Sequence, residues 1–215
     1  MLNTIQDSFV KKNYQTICWR LFKPKKAWKI LDIGCGYTAN KYSNHVADTQ
    51  DFSHLYKDKK FTLIKDKKLP FANKEFNFVI ASHVLEHVED IEFFIKELER
   101  VANSGYIEVP TRLEDNLVDV NENAHVWWIN FDDINNSLFI TKRKQIIEPF
   151  LSVSTVQNLR KFFRDSLVTE IFWENKIDYL FSENNNHFEI YKKLSFFKII
   201  KKFCSKKIRR LFKFI

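Results

Sequence analysis

The chain has 215 residues, of which 45% are hydrophobic, enough to bury one good core, so we expect a single domain with appendages. Cys18, Cys35 and Cys204 lie far apart, which excludes the spacing of a disulfide framework or of a paired-cysteine metal site. No apolar run approaches the ~20 residues of a membrane-spanning helix, and residues 1–10 lack the basic-then-apolar order of a signal peptide. These features favour a reducing, cytoplasmic setting.

The formal net charge of +8 belongs to the carboxyl end of the chain. Residues 191–215 hold ten Lys or Arg and no Asp or Glu. Of the 35 basic and 27 acidic side chains in the whole chain, residues 1–190 therefore keep 25 and 27. The body is about neutral, and the tail is strongly basic.

In chain order, the first predicted element is a lead-in helix within residues 1–27. Apolar side chains recur near helical spacing over residues 4–22, and Pro24 lies just beyond them. The main domain is predicted to occupy residues 28–190, and the tail residues 191–215.

A glycine turn follows the first predicted strand, residues 28–33. The chain has only three glycines, and two of them, Gly34 and Gly36, stand in the segment KILDIGCG at residues 29–36. Glycine is needed where φ is positive or where a ligand approaches the backbone too closely for a Cβ. Because ligands of open α/β sheets bind at the carboxyl ends of the strands, this turn predicts a nucleotide site with Asp32 at its rim.

Residues 31–36, LDIGCG, resemble the first motif of class I S-adenosylmethionine (SAM)-dependent methyltransferases. Residues 69–80, LPFANKEFNFVI, look like the segment that leads into strand four in the small-molecule, type 11-like branch of that family, and SHVLEHV at residues 82–88 looks like the following junction with a helix. With GYIEVP at residues 105–110 as a fifth strand, these blocks cover about residues 28–110. The resemblance implies an α/β fold with a Rossmann-like, doubly wound, mostly parallel sheet, and methyl transfer from SAM.

The resemblance also implies which residues bind the cofactor. An acid at the end of strand two, residues 44–48, takes the ribose hydroxyls, since one carboxylate can accept two hydrogen bonds; Asp48 is the first choice and Asp51 the alternative. Asp66 stands near the position of an acid that reaches the adenine amino group, or else it is a solvated turn carboxylate. The stretch from Gly36 to Asp48 is too short for a long helix plus a strand. The complete set of cofactor-binding candidates is Asp32, Gly34, Cys35, Gly36, Asp48, Asp66, Ser82 and His83.

The segment HVLEH at residues 83–87 matches the H-x-x-E-H signature of a zinc protease, but here it directly follows strand 76–82, which argues against that function. Some methyltransferases that act on adjacent hydroxyls carry a similar block that binds a divalent ion. Glu86, His87 and His125 are therefore candidate ligands of Mg²⁺, or they merely cap and orient the rim. His87 and His125 are also the candidate catalytic bases, because an imidazole with an ordinary pKa of ~6.5 can remove the proton of an oxygen nucleophile.

After this junction, Asp90 is the predicted N-cap of a helix whose apolar stripe runs to Val101, with Gly105 past its end. Residues 111–150 form a long connection that relatives use as a substrate lid. Residues 154–165 predict another helix. Residues 167–172 and 177–181 predict two strands that pair with each other and close the sheet with antiparallel geometry.

The pattern of residues 194–215 predicts an amphipathic helix. A helix of this kind, with one apolar and one basic face, is predicted to attach the protein to an anionic membrane surface. Two alternatives remain open: the apolar stripe docks on the body, or the charges hold RNA phosphates. The apolar face contains Phe197, Ile200, Cys204, Ile208, Leu211 and Ile215. The basic side chains are Lys198, Lys201, Lys202, Lys206, Arg209, Arg210 and Lys213.

The function expected from these features is O-methylation of a small-molecule, sugar or lipid-linked acceptor by a cytoplasmic enzyme, peripheral on the inner membrane face. An RNA 2′-O-methyltransferase is the enzymatic alternative. Methylation of a base amine is disfavoured, because no Asn/Asp-Pro-Pro-aromatic segment follows strand four. A cofactor-binding scaffold without catalysis, recruited by its tail, is the third interpretation.

Overall fold

The protein is described here from a computed structural model, which covers residues 14–15, 24–25, 27–118, 124–132, 134–182, 195–198, 200–201 and 203–205. Ten strands lie within these residues: β1 (Tyr14–Gln15), β2 (Ile30–Ile33), β3 (His45–Asp48), β4 (Lys60–Leu63), β5 (Phe76–Ser82), β6 (Ala102–Pro110), β7 (Trp127–Asp132), β8 (Ser137–Lys142), β9 (Val168–Glu174) and β10 (Tyr179–Ser182). The helices are α1 (Ile91–Val101), α2 (Arg112–Leu117) and α3 (Val153–Leu167), with a 3₁₀ turn at Ser53–Leu55.

Seven strands form the main sheet, in the order β1-β9-β6-β5-β2-β3-β4. The five strands from β6 to β4 are parallel, whereas β9 pairs antiparallel with both β6 and β1. The inner strands β2 and β5 are almost continuously apolar because both of their faces are covered, as parallel strands require. This confirms the expected Rossmann-like, mostly parallel sheet with an antiparallel closing strand.

Helix α1 begins where the sequence predicts and covers one face of this sheet. The Asp90 carboxylate accepts a hydrogen bond from the backbone N–H of Phe93 at 3.1 Å, so it satisfies a donor that the first turn leaves free. The side chains of Ile91, Ile95 and Leu98 are buried in the main core. The N-cap and the apolar stripe are therefore confirmed.

Gly105 lies inside β6, as the predicted fifth strand requires, and it does not cap α1, the other role that its place past the helix suggested. The helix gives way at once to extended backbone at Ala102. A Cβ on Gly105 would lie 2.6 Å from Nε1 of Trp173 and 2.7 Å from the carbonyl oxygen of Val79. The glycine is needed for close packing between strands, which a helix-end pattern cannot distinguish from a cap.

The two strands predicted after α3 exist, but the prediction that they pair with each other is wrong. Strand β9 is buried on both faces and lies between β6 and β1. Both of its edges are therefore occupied, and β10 joins a separate three-stranded sheet, where it runs parallel to β8, with β7 antiparallel on the other side of β8. Burial on two faces marks β9 as an interior strand. Two strand patterns that follow each other in sequence do not show which strands they will pair with.

The ends of the chain agree only in part with the predictions. Tyr14–Gln15 form a strand, so the lead-in helix is wrong for these two residues, and most of residues 4–22 lies outside the described residues. The stretch between β2 and β3 contains no helix, as its length predicted. The segment 111–150 holds α2, β7 and β8, and its role as a substrate lid stays a prediction.

In the tail, residues 196–198, 200–201 and 203–205 are helical, and residues 206–215 of the predicted amphipathic helix lie outside the described residues. Among the described residues, no helix combines the length and the apolar character needed to cross a membrane.

Candidate active site

A cavity of about 590 Å³ opens at the carboxyl ends of β2, β3 and β5. This volume lies within the range of ligand pockets, ~300–1,000 Å³, and the position is where open α/β sheets bind ligands. Four of the predicted cofactor-binding residues line it: Gly34, Asp48, Asp66 and His83. None of the following lining residues was predicted from the sequence to bind the cofactor: Thr49, Gln50, Ile64, Lys67, Val84, Val88, Glu89, Phe93 and Phe94.

Glycine is needed at position 34 for its positive φ and because the side chain of Val84 leaves no room for a Cβ. The φ of Gly34 is +68°, and a Cβ there would lie only 2.5 Å from Cγ2 of Val84. Its backbone N–H donates to the carbonyl oxygen of Ala47 at 2.8 Å, which fixes the loop against the end of β3. Gly36 also has positive φ, +49°, but open space surrounds its missing Cβ.

Asp48 is held in a defined orientation at the end of β3. Its Oδ2 accepts from the backbone N–H of Gly36 at 2.9 Å, and its Oδ1 accepts from that of Gln50 at 3.0 Å. Asp51 instead accepts from the backbone N–H of Ser53 at 2.9 Å and does not line the cavity. Of the two candidate ribose ligands, Asp48 is the one at the cavity wall.

The remaining cofactor-binding candidates lie behind this wall. Asp32 is buried, and its Oδ2 accepts from the backbone N–H of Asn40 at 2.6 Å. Burial raises the pKa of Asp32 to about 7, although the hydrogen bond from Asn40 opposes that shift. Cys35 is buried in a small apolar cluster, and Ser82 donates from Oγ to Oε1 of Glu108 at 3.2 Å. These side chains support the loop and the strand ends, and they do not line the cavity.

His83 lies between two carboxylates. Its Nδ1 is 3.1 Å from Oε1 of Glu86, and its Nε2 is 3.2 Å from Oε1 of Glu108. Burial alone would lower the pKa of His83, but the two carboxylates outweigh that effect and raise it to about 9. The pKa of Glu108 is lowered to about 2, because the interactions with His83, Tyr106 and Arg164 outweigh burial. His83 is therefore an imidazolium held in ion pairs, which leaves it no lone pair for a metal ion.

A second cavity, of about 220 Å³, shares His83 and His87 with the first. Its other lining residues are Glu86, Glu114, Val118, His125, Val153, Val156, Gln157 and Arg160. Because the two cavities share these residues, a molecule in the smaller cavity would lie next to a cofactor in the larger one. The smaller cavity is the candidate acceptor site.

Glu86, His87 and His125 meet in the wall of the smaller cavity, and His87 also lines the larger one. Each offers one ligand atom, and these atoms lie within 4.8 Å of one another. The Nδ1 of His87 lies 2.9 Å from the carbonyl oxygen of Ala124; because a carbonyl only accepts, this nitrogen carries the proton and Nε2 has the lone pair. Oε2 of Glu86 is buried and has no hydrogen-bond partner within the described part of the chain.

Asp115 orients this cluster, and sequence reasoning missed it. The buried carboxylate of Asp115 makes a short hydrogen bond with Nδ1 of His125 and accepts from Nε1 of Trp128 at 2.7 Å and from Nε of Arg143 at 2.6 Å. A His–Asp pair of this kind leaves Nε2 of His125 as the exposed lone pair. These partners are 10, 13 and 28 residues from Asp115 in sequence, so no local motif could have revealed the contact.

Residues 31–107 match the family described as "Methyltransferase domain". An uncharacterized protein of Methanocaldococcus jannaschii is 32% identical over 110 residues, which cover 45% of this chain and 46% of that relative. The match therefore spans less than half of the relative's length.

Two solved structures resemble the fold. A SAM-dependent methyltransferase from Aquifex aeolicus has a TM-score of 0.41 and 11% identity, with 72% of this chain and 85% of that chain covered. A Pyrococcus horikoshii protein has a TM-score of 0.43 and 16% identity, with 81% and 88% covered. At these levels we draw no functional inference from either.

Proposed function

We propose that this chain, whose residues 31–107 match the methyltransferase-domain family, is a class I SAM-dependent methyltransferase that methylates an oxygen atom of a small-molecule, sugar or lipid-linked acceptor. The observation that carries the proposal is the junction of two cavities. The larger has the position and size of a nucleotide site, and the smaller, which shares His87 with it, is lined by both His87 and His125.

The larger cavity offers SAM a fitting set of contacts. Asp48 presents a pre-oriented carboxylate for the ribose hydroxyls, and the Gly34 turn lets the backbone approach the ligand. Asp66 lies in the same wall, where it would meet the adenine amino group. When bound, SAM supplies a methyl group on a positively charged sulfur, which an aligned oxygen nucleophile attacks in line.

The residues of the smaller cavity would take the proton of the acceptor hydroxyl. We assign the base to Nε2 of His125, because the Asp115 carboxylate at Nδ1 stabilises the imidazolium that forms. His87 has only a carbonyl at its Nδ1, so its protonated form gains less. Oε2 of Glu86 is free to accept a second hydrogen bond from the acceptor and so to fix its orientation.

A divalent ion at Glu86, His87 and His125 would use the same lone pairs. Two imidazoles and one carboxylate suit zinc, manganese or iron better than Mg²⁺, which prefers oxygen ligands. Binding of Mg²⁺ therefore stays a prediction from the sequence, and these three ligand atoms do not favour that ion. If the base role is right, turnover persists in the presence of a chelator, and dependence on added metal would contradict it.

The test begins with calorimetric titration of SAM into the purified protein, followed by acceptor screening with S-adenosylhomocysteine formation as the readout. His125→Asn should lower turnover by about 100- to 10,000-fold and leave SAM affinity unchanged. A folded protein that does not bind SAM would contradict the proposal. Binding of SAM without turnover on sugars, lipid-linked molecules or RNA would favour the scaffold interpretation, and turnover on RNA alone would favour the RNA 2′-O-methyltransferase.

A further inference from the structure

The described part of the tail presents apolar side chains to solvent. Phe196, Phe197, Ile200 and Phe203 are 70%, 81%, 43% and 62% exposed, respectively. At 3.6 residues per turn, Phe196, Ile200 and Phe203 fall within about 60° of one another around the helix axis, and Phe197 adjoins them. Phe196, Phe197 and Ile200 are exposed, whereas an amphipathic helix in a globular protein normally buries its apolar side chains.

The other side of the same helix is basic. Lys198 and Lys201 are exposed, and at 3.6 residues per turn they lie about 160° and 100° from Ile200, so Lys198 is opposite the apolar residues and Lys201 flanks them. The whole segment 191–215 has ten Lys or Arg and no acid, while the preceding residues are about neutral. The tail therefore carries the charge that attracts an anionic surface, and the body does not.

We propose that the tail binds the surface of an anionic lipid bilayer, with its phenylalanine face at the boundary between headgroups and acyl chains and its lysines among the anionic headgroups. A basic helix with an aromatic, apolar face is the form of an interfacial helix. The binding itself does not depend on methyl transfer. Its consequence, that the acceptor is itself lipid-linked or membrane-bound, rests on the proposed function.

The exposed phenylalanines distinguish this partner from the alternatives. Contacts with RNA phosphates need the cations, but they do not use a contiguous apolar face. Docking on the body would bury that face, whereas Phe197 is 81% exposed. A bilayer interface uses both sides of the helix at once.

The test is sedimentation of the full chain with vesicles that contain about 30% anionic phosphatidylglycerol in phosphatidylcholine, compared with phosphatidylcholine alone. The wild type should pellet with the anionic vesicles, and its binding should weaken between about 0.1 M and 0.5 M salt. The apolar variant Phe197→Ser/Ile200→Ser and the charge variant Lys198→Glu/Lys201→Glu should each bind on the order of tenfold more weakly.

Matched substitutions on the body separate specific from general effects. Phe162 in α3 is also 81% exposed, so Phe162→Ser removes an equally exposed phenylalanine from another helix. Lys57→Glu/Lys96→Glu changes the net charge as much as the tail variant does. Both controls should bind like the wild type, and melting temperatures should show that every variant is folded.

Three outcomes would overturn the proposal. The first is a wild type that fails to pellet with anionic vesicles. The second is an equal loss of vesicle binding in Phe162→Ser and in Phe197→Ser/Ile200→Ser. The third is binding to RNA that depends on the tail lysines and not on Phe197 or Ile200, together with no preference for vesicles. None of these readouts uses SAM or an acceptor, so failure of the tail proposal and failure of methyl transfer remain distinguishable.

Discussion

The walls of the two cavities are built in different ways. Much of the wall of the larger cavity consists of the carboxyl ends of parallel strands and the turns that follow them, and Gly34, Asp48 and His83 come from the ends of three strands that are neighbours in the sheet. The wall of the smaller cavity is held by ion pairs between distant segments, such as Asp115 with Arg143 and Glu114 with Arg160. The first wall is made by backbone geometry, and the second by buried charge.

This difference indicates which substitutions each wall tolerates. A backbone-built wall is sensitive to any added Cβ where φ is positive or space is short, and is less sensitive to loss of one polar side chain. A wall built from buried ion pairs tolerates little change of charge, because removing one partner leaves the other uncompensated. Four substitutions test this contrast.

The largest expected effect is that of Gly34→Val on SAM binding. A side chain at Gly34 would need φ of +68° and would meet Cγ2 of Val84 at 2.5 Å, so the loop must move away from its place against β3. We expect SAM affinity to fall by at least about 100-fold, equivalent to about 2.7 kcal/mol, as measured by calorimetry.

Gly36→Ala is the matched control for this substitution. Gly36 also has positive φ, but no atom lies within 4 Å of its missing Cβ. It should therefore lose much less affinity than Gly34→Ala, and Val84→Ala should partly restore binding to Gly34→Ala. Equal losses at the two glycines would show that steric contact with Val84 is not what requires Gly34.

The same contrast explains how much the sequence could predict. The Gly34 turn, the acid at the end of β3 and helix α1 with its Asp90 cap each depend on a few neighbouring residues, and a short pattern predicts them. Asp115 and its contacts with His125 and Arg143 depend on how α2, β7 and the segment after β8 pack together. Gly105 shows the limit of local patterns, because its packing against Trp173 comes from a strand almost 70 residues away.

The second prediction concerns Asp115→Asn, behind the wall of the smaller cavity, where Asp115 holds His125 in place. An amide no longer stabilises a protonated His125, so we expect turnover to fall by about 100-fold while SAM affinity stays near that of the wild type. Loss of the ion pair with Arg143 should also lower the free energy of unfolding, by about 3 kcal/mol.

A double variant distinguishes positioning from general destabilisation. If Asp115 acts through His125, adding Asp115→Asn to His125→Asn should reduce turnover no further, because the residues act as one unit. A further loss in the double variant, measured on folded protein at saturating SAM, would contradict the positioning role.

The third prediction distinguishes the two candidate ribose ligands. Asp48→Asn keeps a side-chain oxygen for one backbone N–H but loses the second oxygen and the charge, so SAM affinity should fall by about tenfold. Asp51→Asn should leave affinity unchanged, because Asp51 bonds to the backbone of Ser53 away from the cavity. Calorimetric titrations of both variants decide the assignment, and a larger loss for Asp51→Asn would reverse it.

The smallest effect on SAM affinity is expected for Asp32→Asn, because Asp32 does not line the larger cavity; its effect on stability tests whether buried charge matters behind that wall as well. Burial raises the pKa of Asp32 to about 7 from an unfolded value of 3.8, so between these pH values the native state holds more protons than the unfolded state. The stability of the wild type relative to Asp32→Asn should therefore fall as pH rises from about 4 to 7, by at most about 1.4 kcal/mol per pH unit. Asparagine stays neutral and can still accept the hydrogen bond from the backbone of Asn40, so the variant lacks this loss. Urea unfolding of both proteins at about pH 4, 5.5 and 7 measures this difference in the free energy of unfolding. If the two proteins show the same pH dependence, Asp32 is ionised in the native protein, and both walls then depend on a buried charge.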